Sequence, residues 1–367
     1  MIYRKYGNTG IKLSQLGFGA MRLPDDDEEA VRILRAAVDG GINYIDTAYG
    51  YNQSERRVGL ALQDGYRDRV FLSTKNPLPD MSLDGWKQRL EESLRRLQTD
   101  HIDFYNVIHS MSYDACENFL VKNKALDMIL DYKRQGVIRH VVYSTHDTPE
   151  NVKKCIDTGF FEGMTIQYNL LNRSYADPIA YAHEKGMGVV IMGPVGGGTL
   201  GAANSAFKNK LGKSYASTPE LAIRFVLANP NVTVALSGMG NMDMVTENLR
   251  TASRPDPLSE EELKAVDTAV EELKALEKLY CTGCRYCMPC PNGVDIPGNF
   301  ANFNRYRVYG ALQQAKQHYG WLRHTNEHKK DNSAGACIQC GACMKKCPQK
   351  IDIIGQLKEV HRTLGAE

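Results

Sequence analysis

Four polar side chains in the first third of the chain can do acid–base chemistry together. Asp46 closes the run G-I-N-Y-I-D, Tyr51 follows five residues later in D-T-A-Y-G-Y, Lys75 closes F-L-S-T-K, and His109 closes I-D-F-Y-N-V-I-H. A tyrosine has an unperturbed pKa of about 10, so as an acid at neutral pH it needs that value lowered. A neighbouring lysine cation does this, and an aspartate paired with the lysine keeps it charged and in place. A histidine then holds a substrate carbonyl by a hydrogen bond. The set is an apparatus for protonating a carbonyl oxygen as hydride arrives at carbon. Taken singly, Asp46 reads as a loop cap and Tyr51 as a half-buried aromatic. Lys75 is the hardest to read as packing, because burying an unpaired ammonium is costly.

A second chemistry lies toward the other end, where eight of the ten cysteines crowd into positions 281 to 347. Cys281, Cys284, Cys287 and Cys290 recur at three-residue intervals before Pro291, in C-T-G-C-R-Y-C-M-P-C-P. Cys337, Cys340 and Cys343 are followed by Cys347 before Pro348, in C-I-Q-C-G-A-C-M-K-K-C-P. Three thiolates at C-x2-C-x2-C wrap one face of an iron–sulfur cubane, and the fourth, just before proline, points away. Two zinc sites of four thiolates each are the alternative. Such sites normally draw on two separated C-x2-C pairs per metal, so the spacing favours iron–sulfur. Cys116 and Cys155 lie alone and are expected to pack as small apolar residues.

The elements that must hold these groups follow a repeating pattern. Gly7-Asn8-Thr9-Gly10 is a turn signal inside Ile2–Ser14, which reads as an opening hairpin. Eight short apolar runs then read as strands: Leu16–Met21, Ile42–Ala48, Val70–Thr74, Ile102–Ile108, His140–Ser144, Met164–Tyr168, Gly188–Met192 and Val232–Leu236. The segments between them read as helices, most clearly Ser82–Leu97, with Leu83, Trp86, Leu90, Leu94 and Leu97 at spacings of three and four. Thr148-Pro149 and Thr218-Pro219 each place an N-cap hydroxyl before proline, and Ser259 with Glu262 forms a capping box. Eight strands separated by helices make a parallel sheet, and about 235 residues for eight units is the size of a (β/α)8 TIM barrel. No G-x-G-x-x-G follows the first strand, which disfavours an open dinucleotide-binding sheet. The fold class is therefore α/β. From Cys281 the rhythm stops, and a second domain begins in which Phe300, Phe303, Tyr306, Leu312, Tyr319 and Trp321 punctuate a stretch that looks helical. The expected domains are 1–278 and 279–367.

Two resemblances follow from these motifs. The second cysteine group matches the bacterial ferredoxin run C-x2-C-x2-C-x3-C-P, and the first differs by one residue in its last gap. Residues 279–367 thus resemble a two-cluster, mostly α-helical ferredoxin-like domain. In two-cluster ferredoxins the fourth thiolate ligates the other cluster. That resemblance assigns Cys281, Cys284, Cys287 and Cys347 to one [4Fe-4S] cluster and Cys337, Cys340, Cys343 and Cys290 to the other. Residues 1–278 resemble the aldo-keto reductase family, through D-T-A-Y-G-Y at 46–51, S-T-K at 73–75, I-D-F-Y-N-V-I-H at 102–109, Q-Y-N-L-L-N-R at 167–173 and E-N-L at 247–249.

This second resemblance implies Tyr51 as proton donor, Lys75 and Asp46 as its tuning pair and His109 as the group that orients the carbonyl. It also implies a nicotinamide cofactor across the barrel mouth, with Ser144 and Gln167 on the carboxamide and Asn169 nearby. Gly19, Ala20 and Met21 would border the nicotinamide. Gly193, in G-P-V-G-G-G, together with Ser237, Gly238, Asn241, Glu247 and Asn248, would approach the pyrophosphate and adenosine. Two departures matter. Thr145 stands where the family has asparagine after the serine, and no basic residue occurs between Arg224 and Arg250, where members preferring the 2'-phosphate usually place one. NADPH preference therefore does not follow, and NAD(H) and NADP(H) both stand.

Length and composition set the outer bounds. The chain of 367 residues is 43% hydrophobic and 24% charged, which excludes disordered and fibrous classes and allows about two domains. Its net charge of +2 provides no basic field for nucleic acid or an acidic membrane surface. The amino-terminal residues lack the apolar run of a secretory signal, and no run of about 18 apolar residues occurs, so a cytoplasmic location is expected. The expected function is carbonyl reduction or alcohol oxidation with a nicotinamide, coupled to two clusters that pass electrons to or from a partner such as a ferredoxin-type carrier. Hydride carries two electrons and a cluster one, and a flavin normally mediates between them. No flavin motif is found, although a barrel phosphate site can accept FMN. The alternatives are a conventional NAD(P)H-dependent reductase with structural or redox-sensing clusters, and a cofactor-binding regulatory module. The intact Asp46, Tyr51, Lys75 and His109 argue against the last. Substrate identity and oligomeric state are not encoded in these motifs.

Overall fold

A computed structural model describes residues 1–198, 200, 215–278, 281, 287–324, 331–347 and 350–365. The chain divides into two compact units. The first comprises Met1–Pro194 with Ala222–Leu258, and the second Val195–Leu221 with Ser259–Glu367. Helix Glu260–Lys278 thus lies in the second unit, on the amino-terminal side of the expected boundary at 278/279.

In the first unit, strands β1 (Tyr3–Lys5) and β2 (Lys12–Ser14) form the expected antiparallel hairpin, with Gly7 and Gly10 both at positive φ in its turn. Eight parallel strands close into a barrel: β3 (Leu16–Gly19), β4 (Tyr44–Asp46), β5 (Phe71–Lys75), β6 (Ile102–Asn106), β7 (Ile138–Thr145), β8 (Gly163–Gln167), β9 (Gly188–Met192) and β10 (Val234–Ser237). They neighbour one another in chain order, and β10 pairs with β3 to shut the ring. All eight expected strands are there, with ends shifted by a few residues; β4 keeps only the middle of Ile42–Ala48.

The helices begin where short polar side chains can satisfy their first N–H groups. Ser82 caps Leu83–Leu97 through Gly85 N at 3.1 Å, and Thr148 caps Pro149–Asp157 through Asn151 N. Ser259 and Glu262 exchange both bonds of a capping box. Thr218 does not cap as expected. Helix Thr218–Ala228 already includes it, and the Ser217 hydroxyl accepts from Glu220 N at 3.1 Å instead. The run Ser-Thr-Pro offers two adjacent hydroxyls, and the chain uses the first.

The barrel interior is layered. Its lower part is apolar, built from Tyr44, Phe104, Val142, Val190, Val234 and Leu236. The hairpin closes this end: Tyr6 is buried among those side chains. Its ring occupies space that only glycine leaves open, since a Cβ on Gly188 would come within 2.4 Å of it and one on Gly163 within 1.9 Å of its hydroxyl. The upper layer, at the carboxyl ends of the strands, is polar and carries Asp46, Ser73, Lys75 and Asn106, all buried. Cys116 and Cys155 are both buried in this unit, side chain against side chain, as expected of small packing residues.

The second unit builds its own core. Helices Ile296–Arg307, Leu312–His324 and Ile353–Leu364 bury Phe300, Phe303, Tyr319, Leu357 and Val360 around one cluster, confirming the helical reading of this region. Trp321 is an exception, with 42% of its surface exposed. Among the described residues no helix is long and apolar enough to cross a membrane.

Candidate active site

Three adjacent strand ends assemble the acid–base group. Side chains two residues apart on a strand share a face, so Ser73 and Lys75 both point inward from β5. The register sets Asp46 beside Ser73 and Lys75 beside Asn106. The Lys75 ammonium donates to Asp46 Oδ1 and, at 2.8 Å, to the carbonyl of Thr47. Ser73 donates to the other carboxylate oxygen at 2.9 Å, and Asn106 donates to Ser73 Oγ at 3.2 Å. Asp46 is 4% exposed and Lys75 1%, so this ion pair is sealed from water. Burial alone would lower the lysine pKa, but the charge of Asp46 and the phenol of Tyr51 outweigh it and hold Lys75 above its ordinary value.

Tyr51 and His109 stand over the pair, half-buried where the barrel opens. The Lys75 nitrogen is 5.0 Å from the centre of the Tyr51 ring, and the Tyr51 and His109 rings meet edge to face at 5.7 Å. Burial first, and then the charge of Lys75 with His146 nearby, lower the His109 pKa to about 4. At neutral pH this imidazole is uncharged and can donate a single N–H. The main chain holds it from behind, His109 N donating to the Asn76 carbonyl at 2.8 Å. The four residues singled out in the sequence are thus neighbours. Reading by motif missed Ser73 and Asn106, which orient Asp46, and Glu55, which anchors the Tyr51 loop. Glu55 accepts from Thr74 at 2.6 Å and pairs with Arg96, which also donates to the Tyr49 carbonyl. The period-two pattern of β5 marks Ser73 as inward; nothing local marks Glu55.

The residues expected around a nicotinamide occupy the same end of the barrel. Gly19 ends β3, Ala20 is buried and Met21 is 56% exposed. Ser144 is buried near the end of β7; its oxygen accepts from Ser110 N at 3.1 Å, leaving its proton available. Gln167 ends β8 half-buried, and among the described residues its amide has no partner, which fits an amide-bearing ring such as a nicotinamide carboxamide. Asn169 is spent locally: it donates to the Gly193 carbonyl at 2.9 Å and accepts from Leu171 and Asn172. Thr145, in place of the family asparagine, donates to the Met111 carbonyl at 2.7 Å. Gly193 has φ +65, and Gly19 and Gly238 approach so closely that a Cβ on either would touch the other's loop at 3.6 Å. Asn241 caps helix Met242–Ala252, and Asn248 on that helix donates to Ser237 Oγ at 2.9 Å. Glu247 sits half-buried one residue before it.

In the second unit, Cys290, Cys337, Cys340 and Cys343 line one small cavity together with Ile296, Ile338 and Leu357. Cys343 is buried and Cys340 exposed. Burial, and then the neighbouring thiols of Cys337, Cys290 and Cys340, raise the Cys343 pKa. The four thiols frame this space; among the described residues no three His, Cys, Asp or Glu groups are placed to hold one metal ion. A cavity walled by four separated thiols suits a cluster with an iron at each corner. Cys281, Cys287 and Cys347 pack against the same helical core, and Cys284 lies outside the described residues.

Comparison with known proteins agrees with both halves. The profile of the Aldo/keto reductase family matches residues 15–271, and that of the 4Fe-4S dicluster domain matches residues 280–351. The uncharacterized oxidoreductase YqkF of Bacillus subtilis is 26% identical over 73% of this chain and 96% of its own length. L-galactose dehydrogenase of Arabidopsis thaliana is 26% identical over 74% and 95%. The solved holo form of aldo-keto reductase AKR11C1 from Bacillus halodurans superposes with a TM-score of 0.65, at 29% identity over 73% of this chain and 96% of its own. With its closed eight-stranded barrel, its buried Asp46–Lys75 pair at the mouth and a profile match over most of its length, the chain belongs to the aldo/keto reductase family and carries a 4Fe-4S dicluster domain at its carboxyl end.

Proposed function

We propose that residues 1–278 form a barrel that interconverts a carbonyl compound and an alcohol with NAD(H) or NADP(H), while residues 279–367 hold two [4Fe-4S] clusters that exchange electrons with a partner. The observation that carries the first half is the Lys75 ammonium, buried, paired with Asp46 and set beneath the Tyr51 ring. A bound nicotinamide would supply hydride chemistry at the carbonyl carbon. Tyr51 gives the matching proton to the oxygen, so that carbonyl, hydride and proton balance as alcohol. Lys75 stabilises the phenolate left behind, and Asp46 with Thr47 keeps the ammonium aimed at it. His109, neutral at the pH of the cell, donates to the carbonyl oxygen and sets its position without competing for the proton. Ser144 and Gln167 would hold the carboxamide, Gly19, Ala20 and Met21 would border the ring, and Gly193, Ser237, Gly238, Asn241, Glu247 and Asn248 would form the pyrophosphate and adenosine end.

For the second half, a cluster supplies reversible one-electron transfer, and the thiolates act in two crossed sets. Cys290 joins Cys337, Cys340 and Cys343; Cys347 joins Cys281, Cys284 and Cys287. The cavity shared by the first of these sets supports that crossing. The substrate is a small carbonyl or alcohol, and sugars belong among the candidates because one relative is named an L-galactose dehydrogenase. The test is anaerobic purification with iron, sulfide, flavin and nicotinamide analysis. NAD(P)H oxidation is then followed with aldehydes, ketones and oxidised sugars, and NAD(P)+ reduction with the corresponding alcohols. Turnover in either direction and about eight irons per chain are expected, four for each cubane. No turnover with any member of the panel refutes the barrel half, and four irons or fewer refutes the two-cluster half.

A further inference from the structure

The two sides of the Cys290–Cys337–Cys340–Cys343 cavity differ. Cys343 faces the helical core, whereas Cys340 is exposed, and the two residues before it, Ile338 and Gln339, are exposed as well. Ile338 shows 63% of its surface to solvent, the largest exposure among the big apolar side chains of the described residues. It also lines the cavity, so this apolar tip and the thiol beside it form the thin wall of the site.

Basic residues follow closely in the chain, within a dozen positions of Cys340. Lys345 and Lys346 lie on the turn Met344–Lys346, pinned by Lys346 N donating to the Cys343 carbonyl at 3.2 Å. Lys350 is pinned in turn by its N–H to the Cys347 carbonyl at 3.1 Å. All three are exposed, and among the described residues none has a carboxylate within ion-pair distance. Asp352, the nearest acid along the chain, is engaged in capping Gly355 at 3.0 Å. Three unneutralised cations and one bare isoleucine on the cysteine loops therefore stand out on a protein whose overall charge is close to balance.

We infer that this face, with Ile338 and Cys340 at its centre and Lys345, Lys346 and Lys350 around it, is the docking surface for a small acidic one-electron carrier protein. The inference rests on the two-cluster reading above. Electron transfer falls steeply with separation, so a partner must approach the thin wall, and Cys340 marks it. Fixed cations steer an acidic partner there and raise the rate of encounter, while a single apolar anchor with a small interface keeps the complex short-lived. In each encounter one electron leaves the reduced cluster and enters the carrier, with no atom transferred.

The full-length holoprotein, reduced anaerobically and freed of excess reductant, is mixed in a stopped-flow instrument with oxidised flavodoxin as the acidic carrier. A basic cytochrome c serves as its opposite. Reoxidation by flavodoxin is expected to slow as salt rises, and K345E/K346E/K350E should slow it by about tenfold or more at low salt, within the range electrostatic steering spans. The same variant should speed the reaction with cytochrome c. Should the charge reversals disturb the cysteine loops, K345Q/K346Q/K350Q, checked for wild-type iron and sulfide, should still give a smaller slowing and a shallower salt dependence. Ile338→Ser should lower the rate while leaving the salt dependence as in wild type. A rate with flavodoxin that ignores both salt and the lysine variants, with reducible clusters in place, overturns the docking surface alone. A chain without reducible clusters overturns the two-cluster reading and the surface with it.

Discussion

Replacing Lys75 with methionine isolates the buried pair, because methionine keeps the length of the stem and deletes only the charge. Asp46, 4% exposed, would retain Ser73 as hydrogen-bond donor and lose its counter-ion. Removing one partner of a buried pair costs about 3–5 kcal/mol, most of it from the charge left behind. The barrel should therefore unfold at lower denaturant by that amount, read through Trp86, which is wholly buried in the barrel, in a Trp321→Phe background that silences the only other tryptophan. The pH dependence distinguishes charge from packing. In the wild type the folded Lys75 pKa is raised, so its contribution is complete below the unfolded lysine value of about 10.4 and is lost only as pH climbs through the folded value. In the variant, unpaired Asp46 prefers its proton and the folded state binds more protons than the unfolded. The deficit should then shrink as pH falls from about 8 to about 5. Asp46→Asn added to Lys75→Met should recover part of the lost stability without restoring turnover. A loss below about 1 kcal/mol, or a deficit independent of pH, would refute the buried-pair argument.

Tyr51→Phe should lower kcat by about 10²–10⁴, the usual worth of a positioned proton donor, and leave nicotinamide affinity and thermal stability in place. Because His109 titrates near 4, its protonation should not limit kcat/KM until pH approaches that value. Stability follows the same sign: below about 6.5 the unfolded chain takes up a proton that the folded site refuses, so folding weakens as pH falls toward 4. Gly188→Ala should cost about 1–3 kcal/mol through collision with the Tyr6 ring, and Tyr6→Leu should relieve most of it. Cys290→Ser should remove iron from the cavity that Cys290 shares with Cys337, Cys340 and Cys343, even though Cys290 lies in sequence with the other group. Loss of the other cluster's electron paramagnetic resonance signal alone would sink the crossed ligation.

Much of the fold was legible because its signals are local and repeated. Eight apolar runs, each followed by an amphipathic segment, specify a parallel sheet, and the size of the eight units with no G-x-G-x-x-G after the first run favours its closing into a barrel, whose strand ends then place Asp46, Lys75 and His109 at one mouth. The supporting shell was less legible. Ser73 and Asn106 are ordinary polar residues in buried strands, and only the register between β4, β5 and β6 shows that they brace the carboxylate. Glu55 and Arg96 join across 41 residues, and no periodicity announces that pairing. The cap at Ser217 was misassigned to Thr218 because proline favours the first helical turn without fixing which of two hydroxyls precedes it. The cysteines were the most legible feature of all, since their spacing is itself the chemistry.

The tyrosine wedged into the floor of the barrel has a consequence for traffic. With Tyr6 seated against Gly163 and Gly188, the lower interior is filled by side chains, and the polar layer of Asp46 and Lys75 lies toward the rim that carries Tyr51 and His109. A substrate therefore meets the chemistry at the rim and not inside the ring, while the hairpin at the far end stands between solvent and the floor beneath the buried ion pair.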